Sequence, residues 1–257
     1  MPILSRLLFL SLPFLASAPV AAQDADTPPA AAIKVGARKN PGDLPYRFFL
    51  RGQRQLQSYL PPEPRLLDFK FRISFTELPL PAQDAYLPQS WGVSVVGDSV
   101  DETVNLSRGG YFLLPDLAQA YEEDATIMFK EQSRKKSLDV AWIVRIDAGR
   151  LRYADLGRAM NELRAVQKKI SLFNISMRTE KHAKYDTLKA CFLDTGGQLL
   201  IAGRPVADGT IGNCALLKFD PARFAGGDDI EFAGTLDIVT LVEGRQYATS
   251  LAPAPAG

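Results

Sequence analysis

IMFKEQSRKKSLDVAWIV occupies residues 127–144, and IEFAGTLDIVTLV occupies residues 230–242. Both stretches read I-x-F, then a turn, then L-D-[VI]-x-x-[IL]-V. Apolar residues that alternate on either side of a short polar segment are typical of a β-hairpin. The sequence therefore predicts the same hairpin twice, with a longer and more basic turn in the first copy.

The similarity extends upstream of both stretches. One block matches without a gap and crosses a loop, pairing Leu113, Leu114, Tyr121, Ile127 and Phe129 with Leu216, Leu217, Phe224, Ile230 and Phe232. Further upstream, Tyr46, Arg51 and Leu56 match Tyr153, Arg158 and Leu163, and Phe71 and Ile73 match Phe173 and Ile175. Alternating strands align easily by chance, but a gapless match across a loop favours an internal duplication.

The predicted fold is mainly β. Short alternating segments such as FKFRISF (residues 69–75) are separated by Gly, Asp, Pro and Ser, as in a sandwich or barrel. Two segments have the helical period instead, residues 44–60 and 153–170. We therefore expect two tandem copies of a small β-sandwich-like unit, each preceded by one amphipathic helix, α+β overall. The copies span residues 41–147 and 148–246.

The N-terminal residues have the layout of a secretory signal peptide. Arg6 precedes an apolar run from Leu7 to Leu15, and small residues end at Ala22. This pattern predicts cleavage of residues 1–22, followed by an Ala/Pro-rich disordered spacer (residues 23–40) and, at the other end, a flexible tail (residues 247–257). The expected location is outside the cytoplasm, in a bacterial periplasm, as a soluble protein and not a lipoprotein.

The chain has two cysteines, Cys191 and Cys214. In an oxidising compartment a single pair usually closes on itself, so we predict a Cys191–Cys214 disulfide. Two separate buried thiols are the alternative.

Residues for familiar catalysis are sparse. The single histidine, His182, lies in a charged segment that predicts a solvated loop, and the sequence assigns no catalytic residue, no metal ligand and no cofactor. The acidic groups Glu122–Asp124 and Asp228–Glu231 are interpreted as solvated loops. The net charge of +1 argues against a nucleic-acid partner. Trp142 alternates in register with core positions, whereas Trp91 is left open as core or sugar platform.

The basic turn of the first copy has no counterpart in the second. It contains Lys130, Arg134, Lys135 and Lys136, with Glu131 as the one acid. One interpretation is a solvated turn whose lysines protect a strand edge from aggregation. The other is a contact with an envelope protein or an anionic envelope component.

Two functions remain open. The first is an exported, non-catalytic module that binds or braces a component of the cell envelope. The alternative is a carboxylate-dependent glycan hydrolase, because two carboxylates can meet in a cleft without being adjacent in sequence.

Overall fold

The computed structural model describes residues 42–131, 135–170 and 178–249. The first half contains β1 (Leu44–Pro45), α1 (Tyr46–Tyr59), β2 (Leu67–Phe75), α2 (Leu80–Asp84), β3 (Val93–Val96), β4 (Asp101–Val104), β5 (Tyr111–Phe112), α3 (Ala118–Glu122), β6 (Thr126–Phe129) and β7 (Lys136–Val144). The second half contains β8 (Arg150–Arg152), α4 (Tyr153–Lys169), α5 (Arg178–His182), β9 (Thr187–Phe192), β10 (Gln198–Ile201), β11 (Arg204–Pro205), β12 (Gly209–Ile211), β13 (Cys214–Lys218), β14 (Asp229–Ala233), β15 (Leu236–Val242) and a 3₁₀ helix (Gly244–Tyr247).

The two halves have the same strand order. Each builds a four-stranded antiparallel sheet, β1-β6-β3-β4 in the first half and β8-β14-β10-β11 in the second. The remaining strands form the triplets β5-β2-β7 and β13-β9-β15. The corresponding strands follow one another in the same order along the chain, so the structure confirms the predicted pair of tandem β-sandwich-like units.

The triplets join into one sheet. Antiparallel pairing of β7 with β15 makes a seven-stranded sheet of order β12-β13-β9-β15-β7-β2-β5, in which β12 is an addition to the second half. We call the β7–β15 boundary the seam. Trp142 pairs with Leu241 at the seam, and both halves belong to one compact unit.

The predicted hairpins are wrong, although the repeat that suggested them is real. In the first half β6 belongs to the small sheet and pairs with β1 and β3, whereas β7 belongs to the large sheet. The same holds for β14 and β15 in the second half. Each stretch therefore carries the chain from one sheet to the other. The alternation of apolar residues indicates which face of a strand is buried, but it does not indicate which strand lies beside it.

Two tyrosines repeat their contacts as well as their positions. The Tyr46 hydroxyl donates to the Pro115 carbonyl at 2.6 Å and accepts from the Leu117 N–H. The Tyr153 hydroxyl donates to the Asp220 carbonyl at 2.8 Å and accepts from the Asp220 N–H. The first residue of each helix thus fastens the helix to the same loop of its own half.

The core lies on one face of the seven-stranded sheet. Along β2 the odd-numbered residues from Leu67 to Phe75 point into it, and Trp142 and Val144 do so from β7. Helices α1 and α4 and the two small sheets cover this face. Helix α1 presents Tyr46, Leu50 and Leu56 to the core at helical spacing, and it ends just before Pro61, which cannot continue a helix.

Residues 1–41, 132–134, 171–177 and 250–257 lie outside the described part of the chain, and these include the predicted signal peptide and spacer. Of the helices that are described, none combines the length and the apolar character that a bilayer crossing requires. Trp142 is buried as predicted, while Trp91 is more than one-third exposed.

Candidate functional site

The second face of the seven-stranded sheet carries buried polar residues. On β2 the even-numbered residue Arg72 points to this face, and on β9 so do Thr187, Lys189 and Cys191. Strand β9 is buried along its whole length. Helix α2 and the 3₁₀ helix supply Asp84 and Tyr247 to this side of the sheet.

A cavity of about 250 Å³ lies at the seam, and residues of this face line it together with Val140 and Leu241 of the core face. We call it the seam cavity. Both halves line it. The residues of the lining with charged or hydroxyl groups include Arg72, Tyr111 and Asp139 from the first half and Glu180, Lys189, Thr240, Glu243 and Tyr247 from the second. The site therefore exists only because the halves share a sheet.

Lys189, which is buried, and Arg72, which is mostly buried, line the cavity and share the carboxylate of Asp84, which is not itself part of the lining. Asp84 Oδ1 accepts from Arg72 Nη2 at 2.7 Å and from Lys189 Nζ at 2.8 Å. The exposed fractions of the three side chains are 13% for Arg72, 6% for Asp84 and 1% for Lys189. Arg72 also donates from Nε to the Gly109 carbonyl. The cluster of Arg72, Asp84 and Lys189, which we call the cationic cluster, has one more positive than negative charge.

Neighbouring oxygens favour the charged form of both cations. Burial by itself lowers the pKa of Lys189, but the oxygens of Tyr111, Tyr247 and Asp84 outweigh it, and the pKa is raised. The pKa of Arg72 is raised in the same way, against the effect of burial. Ring faces add to this, because Arg72 lies 5.0 Å from the Tyr111 centroid and Lys189 lies 5.6 Å from that of Tyr247.

Thr240 lies beside the cationic cluster and has an unused hydroxyl. It pairs with Lys189 across β15 and β9, so the two side chains emerge next to each other on the same face. The Thr240 Oγ1 atom is buried and has no hydrogen-bond partner among the described residues. A buried polar atom without a partner is costly and commonly marks a place for water or a ligand.

Carboxylates line other parts of the cavity, and each accepts hydrogen bonds from the protein itself. Glu180 Oε2 accepts from Trp142 Nε1 at 3.0 Å and from the Tyr185 hydroxyl at 2.6 Å, while burial raises the pKa of Glu180. Burial acts in the same direction on Glu243, but the Lys184 N–H and neighbouring side chains outweigh it, so the pKa of Glu243 is lowered. Asp139 accepts from the hydroxyls of two serines, Ser74 and Ser137.

The predicted disulfide is confirmed and borders the cationic cluster. Cys191 and Cys214 are directly paired across β9 and β13, and their sulfurs are bonded. Asp84 lies within 4.8 Å of both sulfurs. Because those sulfurs are bonded to each other, they are not thiolate ligands for a metal in this form of the protein.

The disulfide occupies the position that the Arg72–Tyr111 pair has in the first half. Starting from the seam pair Trp142–Leu241, Phe69 corresponds to Leu188, and three residues further along each strand Arg72 corresponds to Cys191. The neighbours of these residues across the sheet are Tyr111 and Cys214. At these positions the two halves therefore have the same strand pairing but different side chains.

The predicted basic turn connects the small sheet to the large one and has its own local contacts. Lys130 donates to the Ser90 hydroxyl, and Lys135 lies 3.5 Å from Glu77 in an ion pair. Lys136 is the first residue of β7, and its ammonium stands 4.6 Å from the centroid of the Phe129 ring. Arg134 lies outside the described residues. Lys130, Lys135 and Lys136 lie on this connection, and none of them lines the seam cavity.

The acidic groups and the histidine do not line the seam cavity, and the interpretation as loops is only partly right, because Glu122 ends α3 and Asp229 and Glu231 belong to β14. His182 is exposed at the end of α5. Glu123 is more than a solvated charge, because it accepts from the N–H and hydroxyl of Ser99 and from Gln119, and these bonds lower its pKa to about 2. It thereby ties α3 to the β3–β4 turn.

Sequence reasoning missed Arg72, Asp84, Lys189 and Thr240. One signal was present, since Lys189 is the single charged residue in the otherwise apolar and buried run TLKACF (Thr187–Phe192). A lysine buried in a strand requires an acidic partner, but nothing near it in the sequence identifies Asp84. No protein-family profile, curated protein or solved structure was found to match this chain.

Proposed function

We propose that this chain is an exported binding module of the cell envelope, which takes its ligand in the seam cavity. The observation that carries the proposal is the pair of cations Arg72 and Lys189 with the unpartnered Thr240 hydroxyl beside them, in a cavity lined by both halves. A cavity with a few convergent polar groups is the usual form of a small-molecule site. The disulfide supports a location in an oxidising compartment, for which we propose the bacterial periplasm.

A binding function is favoured over an enzymatic one because the carboxylates that line the cavity already accept hydrogen bonds from the protein. Glu180, Glu243 and Asp139 each accept hydrogen bonds from the protein itself, so their oxygens hold the fold together. By contrast, Thr240 and Lys189 have hydrogen-bonding capacity that the described residues do not use.

The test is to isolate the mature protein from its native envelope fraction and to record native mass spectra before and after mild denaturation. A small molecule released only on denaturation supports binding, and its mass identifies it. The released compound should then raise the melting temperature of the emptied protein. If no compound is released and no envelope extract shifts the melting temperature, the seam cavity is not a ligand site.

The second candidate is the carboxylate-dependent glycan hydrolase. One observation favours it: Glu180, whose pKa is raised, shares the cavity with Asp139 and Glu243, and a carboxylic acid paired with a carboxylate is the equipment of such enzymes. Incubation with envelope glycans, followed by mass spectrometry of products, tests it. Cleavage that is lost in Glu180→Gln would support the hydrolase, and intact glycans would leave binding as the function.

A separate contact with an anionic envelope component is proposed for the basic turn. The test variant changes Lys130, Arg134 and Lys135 to Glu and leaves Lys136, whose position over Phe129 contributes to packing. Association with envelope membranes at low salt should fall, and the difference should fade as salt screens the charges within about 10 Å.

The matched control for the basic turn is the triple variant Arg158→Glu, Arg164→Glu and Lys168→Glu. It changes the net charge equally on an exposed side of α4. Equal loss of association in both variants would show a general charge effect, and no loss in either would leave the basic turn as a connection between the sheets.

A further inference from the structure

We propose that the cationic cluster and Thr240 form a subsite for a single carboxylate group of the ligand. The inference deepens the proposed binding function and rests on it. It assigns the chemistry of one end of the ligand, a monoanionic carboxylate, whatever the rest of that molecule is.

The cationic cluster has one more positive than negative charge. Arg72 and Lys189 have two positive charges, and Asp84 has one negative charge. A buried charge without a counter-charge is strongly unfavourable, because the interior solvates ions poorly. One carboxylate entering the cavity supplies the missing negative charge.

Unused hydrogen-bonding groups are the second argument. The Lys189 ammonium has three N–H donors; it makes one bond of 2.8 Å to Asp84 and one contact at the limit of 3.5 Å with the Tyr247 hydroxyl. Its neighbour across the strands, Thr240, has an unused hydroxyl. An ammonium and a hydroxyl side by side can donate to the two oxygens of one carboxylate.

The rest of the cavity disfavours a more highly charged anion. A phosphate monoester would bring up to two negative charges to a cluster that lacks one. The further charge would face Asp139, Glu180 and Glu243, which line the same cavity, and like charges at short range repel. The volume of about 250 Å³ also limits the ligand to a small molecule or to the end of a larger one.

The experiment follows backbone amides of the ¹⁵N-labelled mature protein by NMR while acetate replaces chloride at constant ionic strength. The titration runs to about 100 mM, well above the millimolar dissociation constant expected of so small a ligand. We expect saturable shifts at Lys189 and Thr240. Acetamide, which has the shape of acetate without its charge, should leave both amides in place, and inorganic phosphate should bind more weakly than acetate.

Two variants test whether Thr240 and Lys189 bind the acetate. Thr240→Val removes the hydroxyl and keeps the side-chain shape, and it should weaken acetate binding about fivefold, the effect of one hydrogen bond. Thr210→Val, at an exposed position on β12, is the matched control and should change nothing. Lys189→Met should abolish the shifts while the spectrum keeps the dispersion of a folded protein.

The outcomes separate this subsite from the broader function. If acetate and acetamide act alike, or if phosphate binds more tightly, or if Thr240→Val binds acetate as well as the wild type does, the carboxylate subsite is wrong. The binding function still stands if the compound released from the native protein shifts other residues of the seam cavity. If that compound leaves the cavity unperturbed as well, both proposals fail.

Discussion

Replacing Asp84 by asparagine should be among the most damaging single changes in this protein. The substitution removes the carboxylate that Arg72 and Lys189 share and leaves both cations in place. Removal of one partner from a buried ion pair costs about 3–5 kcal/mol. Because two cations lose the same partner here, we expect the free energy of unfolding to fall by about 5 kcal/mol, which is a large part of the stability of an ordinary domain.

Lys189→Met should behave very differently, although it changes the other end of the same 2.8 Å contact. Methionine has nearly the length of lysine, and the Arg72–Asp84 pair remains intact at 2.7 Å. The substitution also removes the unbalanced positive charge. Since an apolar residue of similar volume often replaces a buried ion at little cost, we expect a change within about 1 kcal/mol in either direction.

Urea unfolding monitored by tryptophan fluorescence and circular dichroism measures both changes, with the free energy extrapolated to water. Asp116→Asn is the matched control, because it breaks the exposed Arg54–Asp116 pair, worth less than about 1 kcal/mol. If Asp84→Asn costs no more than this control, or if Lys189→Met costs as much as Asp84→Asn, the excess positive charge assigned to the cluster is not there.

Further predictions concern the disulfide, two carboxyl groups and the seam. Alkylation without reductant should leave Cys191 and Cys214 unlabelled, and changing both to alanine should cost about 3 kcal/mol, as expected for a sequence separation of 23 residues. The raised pKa of Glu180 makes the folded state bind the proton more tightly, so this group's contribution to stability falls as pH rises from about 4.5 towards the folded pKa. Glu180→Gln should therefore gain stability relative to wild type over that range in pH-dependent urea titrations. Glu123 has the opposite sign: its stabilisation is present above about 4.5 and is lost as pH falls towards about 2. Glu123→Gln should therefore be less stable than wild type at neutral pH and approach it in acid. Finally, fluorescence of Trp142 at the seam and circular dichroism of the whole protein should report one coincident unfolding transition; two separated transitions would show that the halves unfold independently.

Patterns that are local in sequence predicted the fold well. Helical spacing located α1 and α4, and the matched residues Tyr46 and Tyr153 proved to make the same contacts. Strand alternation identified the buried face of β7, including Trp142.

Such local patterns could not predict which strands pair with each other across the sheet. The match of Phe71 and Ile73 with Phe173 and Ile175 falls partly outside the described residues, and the structure gives the place of β2 to β9 (Thr187–Phe192) instead. The pairing of β15 with β9 also has a register shift between Leu236 and Ile238, an irregularity that the L-D-[VI] motif does not show. These features depend on partners that lie far away in the sequence.

The candidate site was the least predictable part for the same reason. Arg72, Asp84 and Lys189 lie on three separate elements, and although Lys189 stands out as the single charged residue of its strand, nothing in the sequence links it to Arg72 or Asp84. Only the sheet brings them within hydrogen-bonding distance of one carboxylate oxygen. The cysteines were easier, because with two in the chain there is one possible intramolecular bond.

The antiparallel seam relates the two halves of this chain much as the interface of a twofold homodimer relates its two subunits. In a true homodimer every mutation appears on both subunits, so a symmetric pair of positions must carry the same residue. Here Arg72 with Tyr111, and Cys191 with Cys214, occupy corresponding positions in the two halves. Within a single chain such positions can differ, so that a disulfide stands in one half where the other half has an Arg–Tyr pair. The side chains at the seam can therefore be asymmetric on a nearly symmetric backbone, and a substitution in one half leaves the corresponding position of the other half unchanged.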